Sequence, residues 1–261
     1  MAILEITQRD AVTHLTMNSP ERLNALSDEM LAALLETLDG LADDPDCRVI
    51  TLSGAGKAFC AGHDLRQMQA MRQNADGGAA AFADLFARCT AVMMRIQTLP
   101  QPVIAQVHGI ATAAGCQLVA TCDMVVAGHG TRFGVNGVNI GLFCSTPMVA
   151  LSRNIARKQA FEMLVTGEFI TAERAEALGL INRVTPAGAL APQTAALADQ
   201  IASKLGVAVK IGKRAFYDQL GMDTQAAYAH TGAVMVENLA NADTAEGMQA
   251  FVEKRPPDWK Q

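Results

Sequence analysis

Pro102-Val-Ile-Ala-Gln-Val-His-Gly-Ile-Ala-Thr-Ala-Ala-Gly-Cys-Gln-Leu-Val-Ala-Thr-Cys-Asp123 is the stretch on which the fold turns. Val103–Val107 is an apolar run fenced by Pro102 and by His108-Gly109, the mark of a buried strand. His108–Thr112 reads as a loop and Ala113–Ala120 as a short helix of small residues. A strand that passes into a helix through glycine and alanine exposes the helix's first N–H groups. These have no partner inside the helix and carry partial positive charge. Small side chains let a ligand carbonyl come close to them. A second joint of this kind lies upstream. There the short strand Arg48–Leu52 and the glycine-rich loop Ser53–Gly56 lead into Lys57-Ala-Phe-Cys-Ala-Gly-His-Asp-Leu65. Two such joints facing one another make an oxyanion hole. On residue pattern alone, two tight turns that merely need glycine are the simpler reading.

Outward from these joints, Ile3–Thr7 and Ala11–Met17 alternate apolar and polar around the turn Gln8–Asp10, which predicts a hairpin. Asn18–Asn24 is a loop containing Pro20. Ser27 is an N-cap, Asp28 and Glu29 suit the helix start, and Met30, Leu31, Leu34, Leu35, Leu38 and Leu41 form an apolar stripe. Residues 64–99 read as helical with a break at Asn74–Gly78, expected to be a mobile loop, and Pro100 and Pro102 end the run. Met124–Ala127 and Thr131–Phe133 are short strands. From Thr146 onward the pattern is mostly helical, with a brief strand at Asn182–Val184 and helices near 190–204, 207–220, 223–240 and 244–253. This predicts an α/β core over 1–190 and a helical C-terminal subdomain over 191–261.

Composition narrows the function. The chain has 261 residues, half of them apolar and 18% charged, enough to bury a large core. A net charge of −5 argues against a nucleic-acid binder, which needs a basic surface. There is no uninterrupted apolar run long enough for a membrane span, and no basic, apolar leader opens the chain. The expected location is the cytoplasm, or the mitochondrial matrix if the protein is eukaryotic and processed. The six cysteines form no CxxC pair and read as reduced core thiols. The histidines lack ligand spacing, so no metal is expected.

Several segments together resemble the crotonase, or enoyl-CoA hydratase-isomerase, superfamily over nearly the whole chain. Pro20-Glu-Arg-Leu-Asn-Ala-Leu26 resembles that family's early CoA-contacting loop, and Ala58–Leu65 its first oxyanion loop. Pro102–Asp123 resembles its strand, second oxyanion loop and short helix. Arg132-Phe-Gly134, Gly141, Thr166-Gly-Glu168, Ala172–Leu180 and Gly247–Arg255 fit later segments. The resemblance implies an α/β crotonase (ClpP-like) spiral of ββα turns in two sheets, with C-terminal helices that mediate trimer formation. It implies an acyl-CoA thioester as partner, coenzyme A entering as part of the substrate with no separate cofactor, and a homotrimer or dimer of trimers. Carried over residue by residue, the oxyanion donors are the N–H groups of His63 and Ala114, where alanine replaces the family's usual glycine but keeps the N–H. Arg22, Asn24, Ala25, Ala61, Asp64, Leu65, Arg66, Ala114 and Gly115 would line the acyl-CoA site together with His63. Phe251 and Lys254 would reach the CoA of a neighbouring subunit.

The departures are as informative. Hydratases of the family use two glutamates to activate water. Their positions here are Gln117 and Gly137. Neither side chain exchanges a proton near neutral pH, and residues 108–150 hold one acid, Asp123, at a helix-to-strand junction where a structural role is expected. The strings Gly62-His-Asp-Leu65 and Gly141-Leu-Phe-Cys-Ser-Thr-Pro147 resemble a branch of the family that also lacks the pair. His63 is expected to act through its backbone with its ring towards solvent, and Cys144 to be an inert buried thiol. Met68, Met71, Met93 and Met94 could wall an acyl pocket or simply pack the core. The implied function is an acyl-CoA-binding protein of enoyl-CoA hydratase/isomerase type that holds a thioester enolate but hydrates slowly. Restoring glutamates at 117 and 137 is expected to raise hydration. Thioester hydrolysis, decarboxylation or a non-catalytic acyl-CoA-binding role are the alternatives.

Overall fold

A computed structural model describes residues 2–260. β1 (Leu4–Arg9) and β2 (Val12–Met17) form the expected hairpin, turning at Asp10 with φ of 51°. The following helix α1 (Asp28–Ala42) starts where Ser27 accepts the Met30 N–H at 3.2 Å. β3 (Val49–Gly54) leads through the first joint to α2 (Leu65–Met71) and α3 (Ala79–Thr98), split where the glycines predicted a break. Asp76 ties that break down by accepting the N–H groups of Gly78 and Ala80, both at 2.9 Å. β4 (Val103–Val107) then runs into β5 (Ile110–Thr112) and α4 (Ala114–Thr121). The segment 108–112, expected as loop throughout, therefore contains a short strand, which pairs with Arg132–Gly134.

β6 (Met124–Gly128), β7 (Arg132–Gly134), α5 (Ser145–Asn154), α6 (Arg157–Thr166), β8 (Ile170–Thr171), α7 (Ala172–Leu178) and β9 (Arg183–Thr185) follow. The chain ends in α8 (Leu190–Ala202), α9 (Gly206–Gln219), α10 (Thr224–Leu239) and α11 (Ala242–Glu253). The strands make two sheets: six-stranded β1-β2-β3-β4-β6-β9, parallel except for the first hairpin, and three-stranded β5-β7-β8. The central strands of the large sheet, β3, β4 and β6, are buried on both faces, yet they keep a period of two. Ile50, Leu52, Val103, Ala105 and Val107 enter the main core. Val49, Ile104 and Val126 meet Leu190, Leu197 and Ala198 of α8 on the other face.

Asp123, at the end of α4, has the structural role expected of it. It accepts from the Val103 N–H at 2.6 Å and the Tyr217 hydroxyl at 2.8 Å, and pairs with Lys213 at 2.6 Å. Lys213 also donates to the carbonyls of Ile96 and Gln101, so this buried group clips α9 onto the spiral. All six cysteines are buried and free. Among the described residues no group of acids, histidines and cysteines could hold a metal ion, and no helix is long and apolar enough to cross a membrane.

Candidate active site

The two joints picked out from sequence lie side by side. The Cys60 N–H donates to the Ile110 carbonyl at 3.2 Å, and the Cys60 carbonyl accepts the Thr112 N–H at 3.0 Å. Two glycines permit the approach. A Cβ on Gly115 would sit 2.2 Å from the Cys60 carbonyl oxygen, and one on Gly62 would sit 3.3 Å from the Ala114 nitrogen. At this junction Ala113 has φ of 50° and ψ of −120°, a strained conformation for a residue with a side chain. It turns the chain so that Ala114 opens α4. Among the described residues neither the His63 N–H nor the Ala114 N–H has a hydrogen-bond partner, and both residues line one cavity of about 360 Å³.

The cavity wall is apolar. Leu65 and Met68 of α2, Phe86 of α3, and Ile140, Leu142 and Phe143 of the loop before α5 supply most of it. Thr112, Asn136, Asn139, Ser145 and Thr146 supply polar atoms. Among the described residues no carboxylate, lysine or arginine lines it. Of the four methionines proposed as walls, Met68 alone lines the cavity. Met93 is buried in the core, Met71 packs against it, and Met94 is exposed.

Each predicted site residue has a definite place. The His63 ring does not face solvent. It packs edge-on against Phe86, with centroids 5.6 Å apart. Its Nδ1 lies 3.4 Å from the Leu26 carbonyl, which can only accept, so Nδ1 carries the hydrogen. Nε2 is enclosed without a partner, and burial holds the ring pKa below its ordinary value. A neutral ring whose free nitrogen is covered contributes its backbone rather than its imidazole. Gln117 is buried on α4 with Oε1 enclosed and unpartnered, and it does not line the cavity. Gly137 does line it, but the space beside it is filled. A Cβ there would lie 2.3 Å from the Leu142 carbonyl oxygen and 2.8 Å from the Cys144 sulfur. A glutamate at 137 therefore cannot be added without displacing the loop, which corrects the expectation that two restored glutamates would raise hydration. Burial raises the Cys144 thiol's pKa, so it stays protonated.

The remaining residues divide into scaffold and surface. Asn24 is fully buried, and its side chain is consumed by the Ser19 N–H (2.9 Å) and by the carbonyls of Ala55 and Ala58 (2.8 Å each). Ala25 beside it is buried too. Asn24 shapes the loop and has no side-chain donor left for a ligand. Ala61, Leu65 and Ala114 line the cavity, and Gly115 is the close-approach glycine behind it. Asp64 caps α2 through the Arg66 N–H at 2.8 Å and pairs with Arg22 at 3.1 Å, leaving half of the Arg22 side chain exposed outside the cavity. Phe251 and Lys254 lie at the end of α11. Phe251 is 85% exposed, and neither residue lines this cavity. Sequence reasoning missed Thr112, Asn136, Phe86 and Leu142, which the fold brings together from four separate segments.

A spiral of short parallel strands whose two glycine-rich joints converge on one apolar cavity defines the crotonase class of protein. The match to known proteins agrees. Residues 7–261 fit the family model described as enoyl-CoA hydratase/isomerase, and the chain belongs to that family. A crystal structure of enoyl-CoA hydratase from Mycobacterium smegmatis superposes with a TM-score of 0.95 at 51% identity, covering 99% of each chain. That of human enoyl Coenzyme A hydratase domain-containing protein 3 gives 0.94 at 44% identity, covering 98% of this chain and all of that one. The mitochondrial enoyl-CoA hydratase domain-containing protein 3 of Xenopus laevis is 44% identical over 254 residues, 97% of this chain and 85% of that protein.

Proposed function

We propose that this protein binds an acyl-CoA thioester in the cavity and holds the thioester oxygen on the N–H groups of His63 and Ala114, stabilising an enolate without the acid pair that hydration uses. The observation that carries the reading is the pair of N–H groups, unpartnered among the described residues, on two residues that line an apolar cavity with no carboxylate among its described lining. Such donors are worth most where water is excluded. The half-exposed Arg22, held by Asp64 next to the cavity-lining Leu65, and Lys254 from a neighbouring copy would meet the CoA phosphates. That sharing requires subunits to associate, and the assembly proposed is a homotrimer or dimer of trimers. The apolar side chains left bare on the last helices, Met235, Val236, Leu239, Met248, Phe251 and Val252, support such assembly.

The absence of carboxylates also supports a second reading, in which the same hole serves thioester hydrolysis, decarboxylation or binding alone. The test of the first claim is calorimetric titration with butyryl-CoA and with butyrate. Saturable binding of the thioester, and none of the free acid, is expected. Absence of thioester binding at millimolar concentration would overturn it.

A further inference from the structure

Beside the two backbone donors, the cavity holds one oriented side-chain donor. The Thr112 hydroxyl donates to Asn136 Oδ1 at 2.5 Å. This fixes the amide so that its nitrogen, with two hydrogens, points away from Thr112. Among the described residues that nitrogen has no partner, and it is not among the enclosed polar atoms. Both residues line the cavity. Their position is set by backbone pairing. Thr112 lies opposite Gly134 across β5 and β7, and the Ala113 N–H donates to the Gly134 carbonyl at 2.9 Å. Asn136, two residues beyond Gly134, is thereby held beside the joint that presents the Ala114 N–H. Of the other polar side chains on the wall, the Thr146 hydroxyl is a rotatable group that can donate or accept, and two are committed elsewhere. Asn139 donates to the Gly167 carbonyl and Ser145 to the Phe143 carbonyl.

Among the described residues the cavity therefore offers hydrogen-bond donors at two places and no carboxylate, and the free nitrogen of its one histidine is enclosed. A simple acyl thioester has one oxygen to place and a Cα–H too weakly acidic to ionise without a positioned base. A thioester with a second carbonyl on the β-carbon has two acceptor oxygens, and its Cα–H, flanked by both, is acidic enough to ionise in part to solvent in mildly alkaline water without a protein base. We propose that the site takes 3-oxoacyl-CoA thioesters as their enolates, with the thioester oxygen on the His63 and Ala114 N–H groups and the β-oxygen on the Asn136 amide. The Cα proton leaves to solvent, and its electron pair spreads over the two oxygens. Asn136 is then a specificity-determining residue that Thr112 orients. This inference rests on the acyl-CoA reading above and gives it a substrate class.

The experiment titrates the intact protein with acetoacetyl-CoA and with butyryl-CoA at mildly alkaline pH, following heat and the near-ultraviolet band of the enolate. A charge-assisted hydrogen bond predicts acetoacetyl-CoA to bind at least about tenfold more tightly, with growth of the enolate band. In Asn136→Leu that ratio should fall to about one and the band growth should vanish. Thr112→Val, which frees the amide to turn, should give a ratio in between. Equal binding of both thioesters by wild type, or a preference that survives in Asn136→Leu, would overturn the proposal and leave the acyl-CoA reading standing. Binding of neither thioester would overturn both.

Discussion

Two glycines show how much a single missing Cβ decides. Gly115 is required by the 2.2 Å approach of its would-be Cβ to the Cys60 carbonyl, a backbone atom that cannot swing aside. Gly115→Ala should push the two joints apart, lowering butyryl-CoA affinity by more than about tenfold and costing about 1–3 kcal/mol in a denaturant melt. Gly137 was recognisable from sequence as an absent acid. Its crowding by Leu142 and Cys144 was not, because that loop folds back over it from five to seven residues later. Gly137→Glu, alone or with Gln117→Glu, should lower the melting temperature and leave crotonyl-CoA hydration no faster. The histidines set a pH dependence. Burial holds the pKa values of His14 and His63 below their ordinary 6.5, so the unfolded chain binds protons more readily than the folded one. The stabilising effect is full above 6.5 and is lost as pH falls from there towards the folded values. Thermal scans between about pH 7 and about pH 5.5 should show falling stability, with a shallower slope in a His14→Gln/His63→Gln variant.

Elements were legible wherever local pattern governs them. The hairpin, β4, the α2–α3 break and the last four helices stand within a few residues of their expected places, because periodicity and glycine or proline punctuation specify them. What periodicity does not report is direction and pairing. β5 exists only because β7, 22 residues on, lies alongside it. Asn24 was assigned to the ligand from its motif, yet the left-handed backbone at Leu23 and Asn24 turns its amide inward. The Thr112–Asn136 pair left no local mark, since the two residues meet only through sheet register. The Asp123–Lys213 link between α4 and α9 is of the same kind. Lys213→Met would strand a buried carboxylate, so it should cost about 3–5 kcal/mol by equilibrium unfolding. Asp123→Leu combined with Lys213→Met should recover most of that loss, because a buried ion pair and an apolar pair of similar volume differ little in net stability.

At the scale of the molecule, the spiral supplies a rigid frame and the C-terminal helices supply surface. The exposed apolar side chains between Met235 and Val252, with Phe251 85% exposed, are the surface that the proposed assembly would cover. Light scattering at micromolar protein should give three or six times 27.6 kDa. Phe251→Glu should shift that mass downward and weaken CoA-thioester binding together with it. On the proposed reading the frame holds two backbone donors over a cavity that no carboxylate lines among the described residues, a combination that would separate the protein from a water-activating hydratase. Mixing crotonyl-CoA with excess protein and following the conjugated thioester's absorbance tests this most directly. An immediate red shift is expected, as the two N–H groups polarise the carbonyl. Decay should then be several orders of magnitude slower than in a hydratase bearing both glutamates, since losing one acid–base group costs about 10²–10⁴. Turnover at about a hundred per second or faster, within the ordinary range for an enzyme, would contradict it.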